Sequence, residues 1–184
     1  RANYLASGGS LFVASMQALT NLAARGFSAF WKNTLKVQSY APDVGAPAIT
    51  GAANDPVGNG ISTSLDYASY ASDSKTNASI PTDASDAITP TPDASPVFFN
   101  NAGNACGLRF PRFGVDSPGR LVFLSFPLDA VPMTQAATNN RVHLLGNVLR
   151  FLAPGFDGRA TIALDSSAYT IPSQITVELD DADM

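Results

Sequence analysis

The chain contains a single cysteine, Cys106, and a single histidine, His143, among its 184 residues. One cysteine excludes an internal disulfide and a thiolate metal cluster. Charged residues make up only 14% of the chain, the formal net charge is −4, and lysine and arginine form no cluster. Nucleic acid is therefore not expected as a partner, because its binding needs a basic face. No apolar run approaches the length of a transmembrane helix, so no membrane span is expected.

The only histidine falls in a segment that is expected to form an amphipathic helix, residues 139–152. Four apolar residues at helical spacing form one stripe of this helix: Val142, Leu145, Leu149 and Leu152. His143 lies away from that stripe, together with Asn147 and Arg150. A catalytic histidine needs a pocket and an orienting group. We therefore expect His143 to be a polar surface residue rather than a general base.

The only cysteine lies in the sequence Asn-Ala-Cys-Gly-Leu, which reads as a glycine-rich turn that enters a strand. A reactive thiol needs a cation or a histidine nearby to lower its pKa, and none is adjacent to Cys106 in the sequence. The favoured interpretation is a small, half-buried turn residue, and a reactive thiol is the alternative.

Residues 41–96 are rich in Pro, Gly, Ser, Thr and Asp, which predicts a long surface loop with one edge strand near residues 87–89. Asp83, Asp86 and Asp93 lie in this loop, and calcium prefers such oxygen ligands. Their spacing is not that of a regular calcium-binding loop, so solvated acidic turns are favoured over a calcium site.

Two continuous apolar runs, residues 10–14 (SLFVA) and 120–126 (RLVFLSF), are typical of strands that are buried on both faces. Each is followed by a segment with helical periodicity, at 16–24 and 139–152 respectively. The sequence therefore predicts an α/β fold with a mainly parallel sheet and helices on both faces. Further elements are expected as a helix at 27–35 and strands at 97–99 and 108–113.

The last part of the chain has a different pattern. Residues 160–164 (ATIAL) and 174–179 (QITVEL) alternate between apolar and polar side chains, which predicts an antiparallel pair with one apolar face. Two strands cannot bury a sheet face alone. This segment is therefore expected to dock on the preceding domain, on another segment of the parent protein or on a copy of the chain.

Several motifs resemble those of class I glutamine-amidotransferase-like domains, and more closely the degenerate versions found in large secreted bacterial proteins. They are YLASGGSLFVAS at 4–15, DPVGNGI at 55–61 and RLVFLSFPLDAV at 120–131. The resemblance implies a partial flavodoxin-like domain over residues 1–155, containing the long loop 41–96. The family's first strands would precede Arg1, so an open strand edge is expected. Residues 156–184 resemble the start of the β-rich, Ig-like domain that often follows, and the alternative is that they dock on a partner.

The resemblance also implies that no catalytic site is present. The family's nucleophilic cysteine would fall in the turn 14–17, which contains no cysteine, and its His-Pro-Glu motif would fall at 126–129, which contains no histidine. Ser15 lies in that turn, but a serine is a weak nucleophile without a base. We expect Ser15 to cap the following helix. No catalytic residue, cofactor or metal ligand is predicted.

Two classes of function remain. The first is a non-catalytic structural or interaction module of a large secreted or cell-surface bacterial protein, binding other segments of that protein or copies of itself. The second is a fragment of an extracellular hydrolase, a peptidase, whose active site lies outside this chain. The Ser/Thr/Asn-rich, lysine-poor composition favours an extracellular location, and Asn77-Ala78-Ser79 fits an N-glycosylation sequon.

Overall fold

The structure is a computed structural model. It describes residues 4–68, 83–113, 119–134 and 138–153, and the backbone of two short strands at 161–164 and 177–180. The sequon at Asn77 and the predicted domain boundary near residue 155 lie outside the described residues.

Ten strands are described. In chain order they are β1 (Ser10–Ala14), β2 (Val37–Ala41), β3 (Ala48–Gly51), β4 (Ser62–Ser64), β5 (Ala87–Pro90), β6 (Ser95–Asn100), β7 (Ala105–Phe110), β8 (Arg120–Leu124), β9 (Thr161–Leu164) and β10 (Val177–Asp180). The α-helices of the described residues are α1 (Ala18–Ala24), α2 (Ser28–Asn33) and α3 (Arg141–Leu152), and a short 3-10 helix covers Leu128–Ala130.

Six of the strands form one curled sheet, a half-barrel, in the order β1-β8-β7-β6-β3-β4. Within the described residues only β1 and β8 pair in parallel, from Ser10 opposite Arg120 to Ala14 opposite Leu124. The other four pairs of this sheet are antiparallel. Two smaller antiparallel pairs are formed by β2 with β5 and by β9 with β10.

The predicted fold class, a mainly parallel flavodoxin-like sheet with helices on both faces, is wrong, because the sheet is mixed and mostly antiparallel. The pattern that suggested it was the two continuous apolar runs that form β1 and β8. All five residues of β8 are buried, whereas β1 lies at the sheet edge with residues 11–14 only half-buried. Burial on both faces is common in parallel sheets, but it does not fix the direction of the neighbouring strands.

Two hydrophobic clusters lie on the two faces of the sheet, and β8 contributes to both. Leu121 and Phe123 point into the cluster that also contains Leu19 of α1 and residues of the β2–β5 pair. Val122 and Leu124 point into the cluster that contains the buried side of α3. Alternate side chains of a strand face opposite ways, so this one strand joins both cores.

The predicted surface loop at 41–96 is also wrong over much of its length. It contains β3, β4, β5 and the first residues of β6. Buried core residues from it are Ala46, Ile49, Val57, Ile61, Leu65, Ile88 and Ala94. Strands β3, β4 and β5 have only three or four residues, and β4 alternates exposed serines with a buried threonine. Such short, half-polar strands have the composition of a loop. The predicted edge strand near 87–89 is confirmed as β5.

Helix α3 lies where the sequence predicts a helix, but it packs with a different face. Its buried residues are Leu144, Asn147, Val148 and Phe151. Two members of the predicted stripe are exposed, Val142 at 61% and Leu149 at 51%. Leucine, valine and phenylalanine occur at helical spacing on both faces of this helix. Periodicity therefore could not select the face that packs on the sheet.

The first prediction concerns Gly51, the last residue of β3. A Cβ atom at this position would overlap the backbone carbonyl of Gly58, which cannot move as a flexible side chain would. We expect Gly51→Ala to lower the free energy of unfolding by about 2–3 kcal/mol or more, because overpacking displaces backbone.

Gly146 of α3 gives the matched control, since a Cβ there meets only Arg150 Nη1, at 4.0 Å. Gly146→Ala should be neutral or stabilising by up to about 1 kcal/mol, from helix propensity. Urea unfolding of both variants tests the prediction. Equal stabilities for the two variants would contradict the close contact between the backbones of residues 51 and 58.

Candidate functional site

Cys106 lies inside strand β7 rather than in the predicted turn, and it is fully buried. Burial, together with the charge of Asp83, raises the pKa of its thiol to about 12. The thiolate is the nucleophilic form of cysteine, so this side chain is inert at neutral pH. It packs among the apolar residues of the core next to α3.

Ser15 follows the last residue of β1. Its hydroxyl accepts a hydrogen bond from the backbone N–H of Gln17, at 3.3 Å. The helix cap itself is Gln17, because α1 begins at Ala18, so the prediction that Ser15 is the N-cap is wrong by two residues. The hydroxyl still satisfies a backbone donor just before the helix, which is a structural role.

His143 lines an open polar cleft of about 410 Å³ between α3 and the turn that follows β3. The lining residues are Asn54, Asp55, Pro56, Asn59, His143 and Asn147. His143 is half-buried, as a side chain at a cleft edge would be. No described residue of this lining is a serine, threonine, cysteine or lysine. Within this lining, His143 therefore has no hydroxyl, thiol or amine side chain beside it.

Asp55 is the most constrained residue of this cleft. One carboxylate oxygen accepts the N–H groups of Val57 and Gly58, at 2.8 and 3.1 Å. The other accepts Arg109 Nε at 2.6 Å, and both side chains are largely buried. These three donors fix the turn onto strand β7. This ion pair was not predicted, although the Asp-Pro turn and an arginine within the predicted strand 108–113 are visible in the sequence.

Asn147 connects the same turn to α3. Its amide Nδ2 donates to the carbonyl of Val57 at 3.2 Å, and its Oδ1 accepts from Arg150 at 3.2 Å. The expectation that Asn147 faces solvent with His143 is wrong, because it is buried. Asp55 and Asn147 therefore connect the turn after β3 to strand β7 and to helix α3.

The three acidic residues considered for calcium do not converge. Asp83 accepts the backbone N–H groups of Ala46 and Ser85, at 2.6 and 3.1 Å. Asp93 pairs with Lys36 at 2.7 Å. Among the residues that the structure describes, no three His, Cys, Asp or Glu side chains are placed to hold a metal ion.

Asp86 differs from the solvated turn residue that was expected, because it is only 2% exposed. One carboxylate oxygen accepts the N–H of Asp43 at 3.2 Å, and Oδ2 has no hydrogen-bond partner among the described groups. Burial raises the pKa of this carboxyl from 3.8 to about 6. Burial therefore stabilises the neutral acid relative to the carboxylate, compared with an aspartate in water.

A second recess, of about 340 Å³, is mainly apolar and lies between β1 and the first two helices. We call it the β1 groove. Its lining residues are Val13, Ala18, Asn21, Leu22, Arg25, Phe27, Phe30 and Leu35. Phe27 is 54% exposed and Phe30 is 44% exposed, so two aromatic rings at the groove remain largely in water.

Comparison of the chain with protein-family models, with curated proteins and with solved structures finds no match. No helix in the part of the chain that the structure describes is long and apolar enough to cross a membrane.

The second prediction concerns the buried ion pair. Asp55→Ala leaves the Arg109 guanidinium without its carboxylate and frees two backbone N–H groups. We expect a loss of about 3 kcal/mol in the free energy of unfolding, since breaking a buried pair leaves an uncompensated charge. Denaturant titration measures this loss.

Asp129→Ala is the matched control, because Asp129 pairs with Arg141 at 3.0 Å while its side chain is 66% exposed. Exposed pairs contribute little, so we expect a change within about 1 kcal/mol. Similar losses in the free energy of unfolding for the two variants would show that the Asp55–Arg109 pair contributes no more to stability than an exposed pair.

The third prediction concerns pH. The Asp86 carboxyl has a raised pKa in the folded chain, so its contribution to stability is full below pH 3.8 and is lost as the pH rises through about 6. We expect this group alone to lower the free energy of unfolding by about 3 kcal/mol over that interval. Asp86→Asn should remove this part of the pH dependence, whereas Asp129→Asn should keep it. Thermal unfolding from pH 4 to 8 measures this pH dependence. Parallel profiles for wild type and Asp86→Asn would contradict its assignment to the Asp86 carboxyl.

Proposed function

We propose that this chain is a non-catalytic structural or interaction module of a large secreted or cell-surface bacterial protein, and that it works in an assembly. The observation that carries the proposal is the edge strand β1 and the groove beside it. The described residues provide strand β8 on one side of β1 and no strand on the other.

Strand β1 lacks charge, proline and a bulge, three features that protect sheet edges from pairing, and among the described residues only its first residue is engaged locally, since the Tyr4 hydroxyl donates to the Ser10 carbonyl at 3.1 Å. Natural edges are usually short, charged, interrupted by proline or bulged. Strand β1 has the sequence SLFVA, with no charge and no proline, and its residues 11–14 are only half-buried. The opposite edge of the same sheet, β4, has the three polar residues STS. The β4 edge is therefore short and polar, as protected edges are, whereas the β1 edge has the apolar composition of an edge that can pair with another strand.

The β1 groove extends this apolar edge. Leu11 and Val13 pack on the core beside α1, and Phe12 and Ala14 pack on the core beside α3. Phe27 and Phe30 add exposed aromatic surface at the groove. Exposed apolar surface next to an unprotected strand supports binding of an extended polypeptide, which adds a strand to the sheet and places alternate side chains in a recess.

The non-catalytic part of the proposal is supported by the state of the candidate groups. The Cys106 thiol is buried with a raised pKa, and the Ser15 hydroxyl bonds to backbone. The secreted or cell-surface location is supported by sequence alone, through the lysine-poor, Ser/Thr/Asn-rich composition and the resemblance of the motifs at 4–15, 55–61 and 120–131.

The fourth prediction tests this function. We expect the full chain to self-associate, with an average mass in light scattering that rises with concentration. The double variant Phe27→Ser/Phe30→Ser should shift the chain towards the monomer, because it removes aromatic surface from the groove without changing the core.

Val142→Ser/Leu149→Ser is the control, since these side chains on α3 are equally exposed, at 61% and 51%. It should leave the association as in wild type. A wild type that stays monomeric at every concentration, or an association that the α3 variant disrupts as strongly as the groove variant, would contradict the proposal.

A further inference from the structure

We propose that the β1 groove binds the C-terminal segment 174–183 of a second copy of this chain, which adds as a strand to the free edge of β1. This inference rests on the proposed function and names its partner. The observations that carry it are the charge of the groove, the pattern of the segment and the length of the two strands.

The surface around the groove is basic in an otherwise acidic chain. Residues 1–42 contain four basic residues, Arg1, Arg25, Lys32 and Lys36, and no acidic one, although the whole chain has a net charge of −4. Arg25 lines the groove, and Lys32 is exposed on the adjoining helix α2. Lys36 is bound to Asp93. Neither Arg25 nor Lys32 has an ion-pair partner among the described residues.

The segment 174–183 (QITVELDDAD) has the complementary pattern. Its apolar residues Ile175, Val177 and Leu179 occupy alternate positions, and alternate residues of a strand share one face. Four acidic residues accompany them, at 178, 180, 181 and 183, and residues 160–184 contain no basic residue. An apolar strand followed by acidic side chains therefore fits an apolar groove bordered by Arg25 and Lys32.

The lengths and the backbone also agree. Strand β1 has five residues, and the apolar alternation from 175 to 179 also covers five. The backbone of Val177–Asp180 is already extended, as β10. Among the strands that the structure describes, β10 pairs with β9, and β1 pairs only with β8. The described edge of β1 is therefore open to the matching segment of a second copy.

A charge-swap experiment on the full chain tests the assignment. The groove variant is Arg25→Glu/Lys32→Glu, and the tail variant is Asp180→Lys/Asp181→Lys. Each alone places like charges at the interface, so each should weaken self-association by about tenfold or more. An equimolar mixture of the two variants should restore the association, because each groove then meets a tail of opposite charge. Arg150→Glu, on helix α3 and outside the groove lining, should have no such effect.

The restoration by mixing excludes misfolding as the cause of the loss, since two unfolded variants would not rescue each other. Association that is unchanged by both charge variants but lost in Phe27→Ser/Phe30→Ser would overturn the tail assignment and leave the proposed function standing. Loss in each variant without rescue in the mixture would also overturn it. A wild type that is monomeric throughout would overturn both.

Discussion

Strand β8 is the element on which both hydrophobic cores are built, because alternate residues of one buried strand face opposite sides of the sheet. The first residue of β8, Arg120, also connects the strand to helix α3. Arg120 donates to the carbonyl of Phe151 at 2.7 Å, and its guanidinium lies 5.2 Å from the centre of that ring. The end of α3 is thereby held at the start of β8. The parallel neighbour β1 repeats the alternation, with half-buried side chains on the same two cores.

The buried polar groups near the sheet also connect separate elements of the fold. Asp55 joins the turn after β3 to Arg109 of β7, and Asn147 joins that turn to α3. A buried polar group must find partners within the fold. The hydrogen bonds made by Asp55 and Asn147 therefore hold the turn after β3 against both the sheet and the helix, and His143 lies at the margin of this network.

The sequence predicts where several strands lie, but it does not predict the directions of their neighbours or the packed face of α3. The apolar runs located β1 and β8 as strands, although β1 lies at the edge of the sheet and not inside it, and the alternation at 160–179 located the pair of β9 and β10. The directions of the other strands could not follow from burial, because a buried strand is apolar whichever way its neighbours run. The strands within 41–96 were missed because they are short and half-polar. The packed face of α3 was missed because both of its faces carry apolar residues, and only the sheet selects Leu144, Val148 and Phe151.

The energetics of the β1 edge decide what kind of partner it needs. Full burial of a large apolar side chain contributes about 1.5–3 kcal/mol. Leu11, Phe12, Val13, Phe27 and Phe30 are already partly buried, so completing their burial yields roughly half of that each, or about 4–8 kcal/mol together. Association itself costs an estimated 4–15 kcal/mol. Apolar contact alone is therefore marginal, and the partner proposed above would add backbone hydrogen bonds along β1 and charge pairing with Arg25 and Lys32. An extended acidic strand satisfies both requirements, whereas a helix would leave the backbone groups of the edge unpaired.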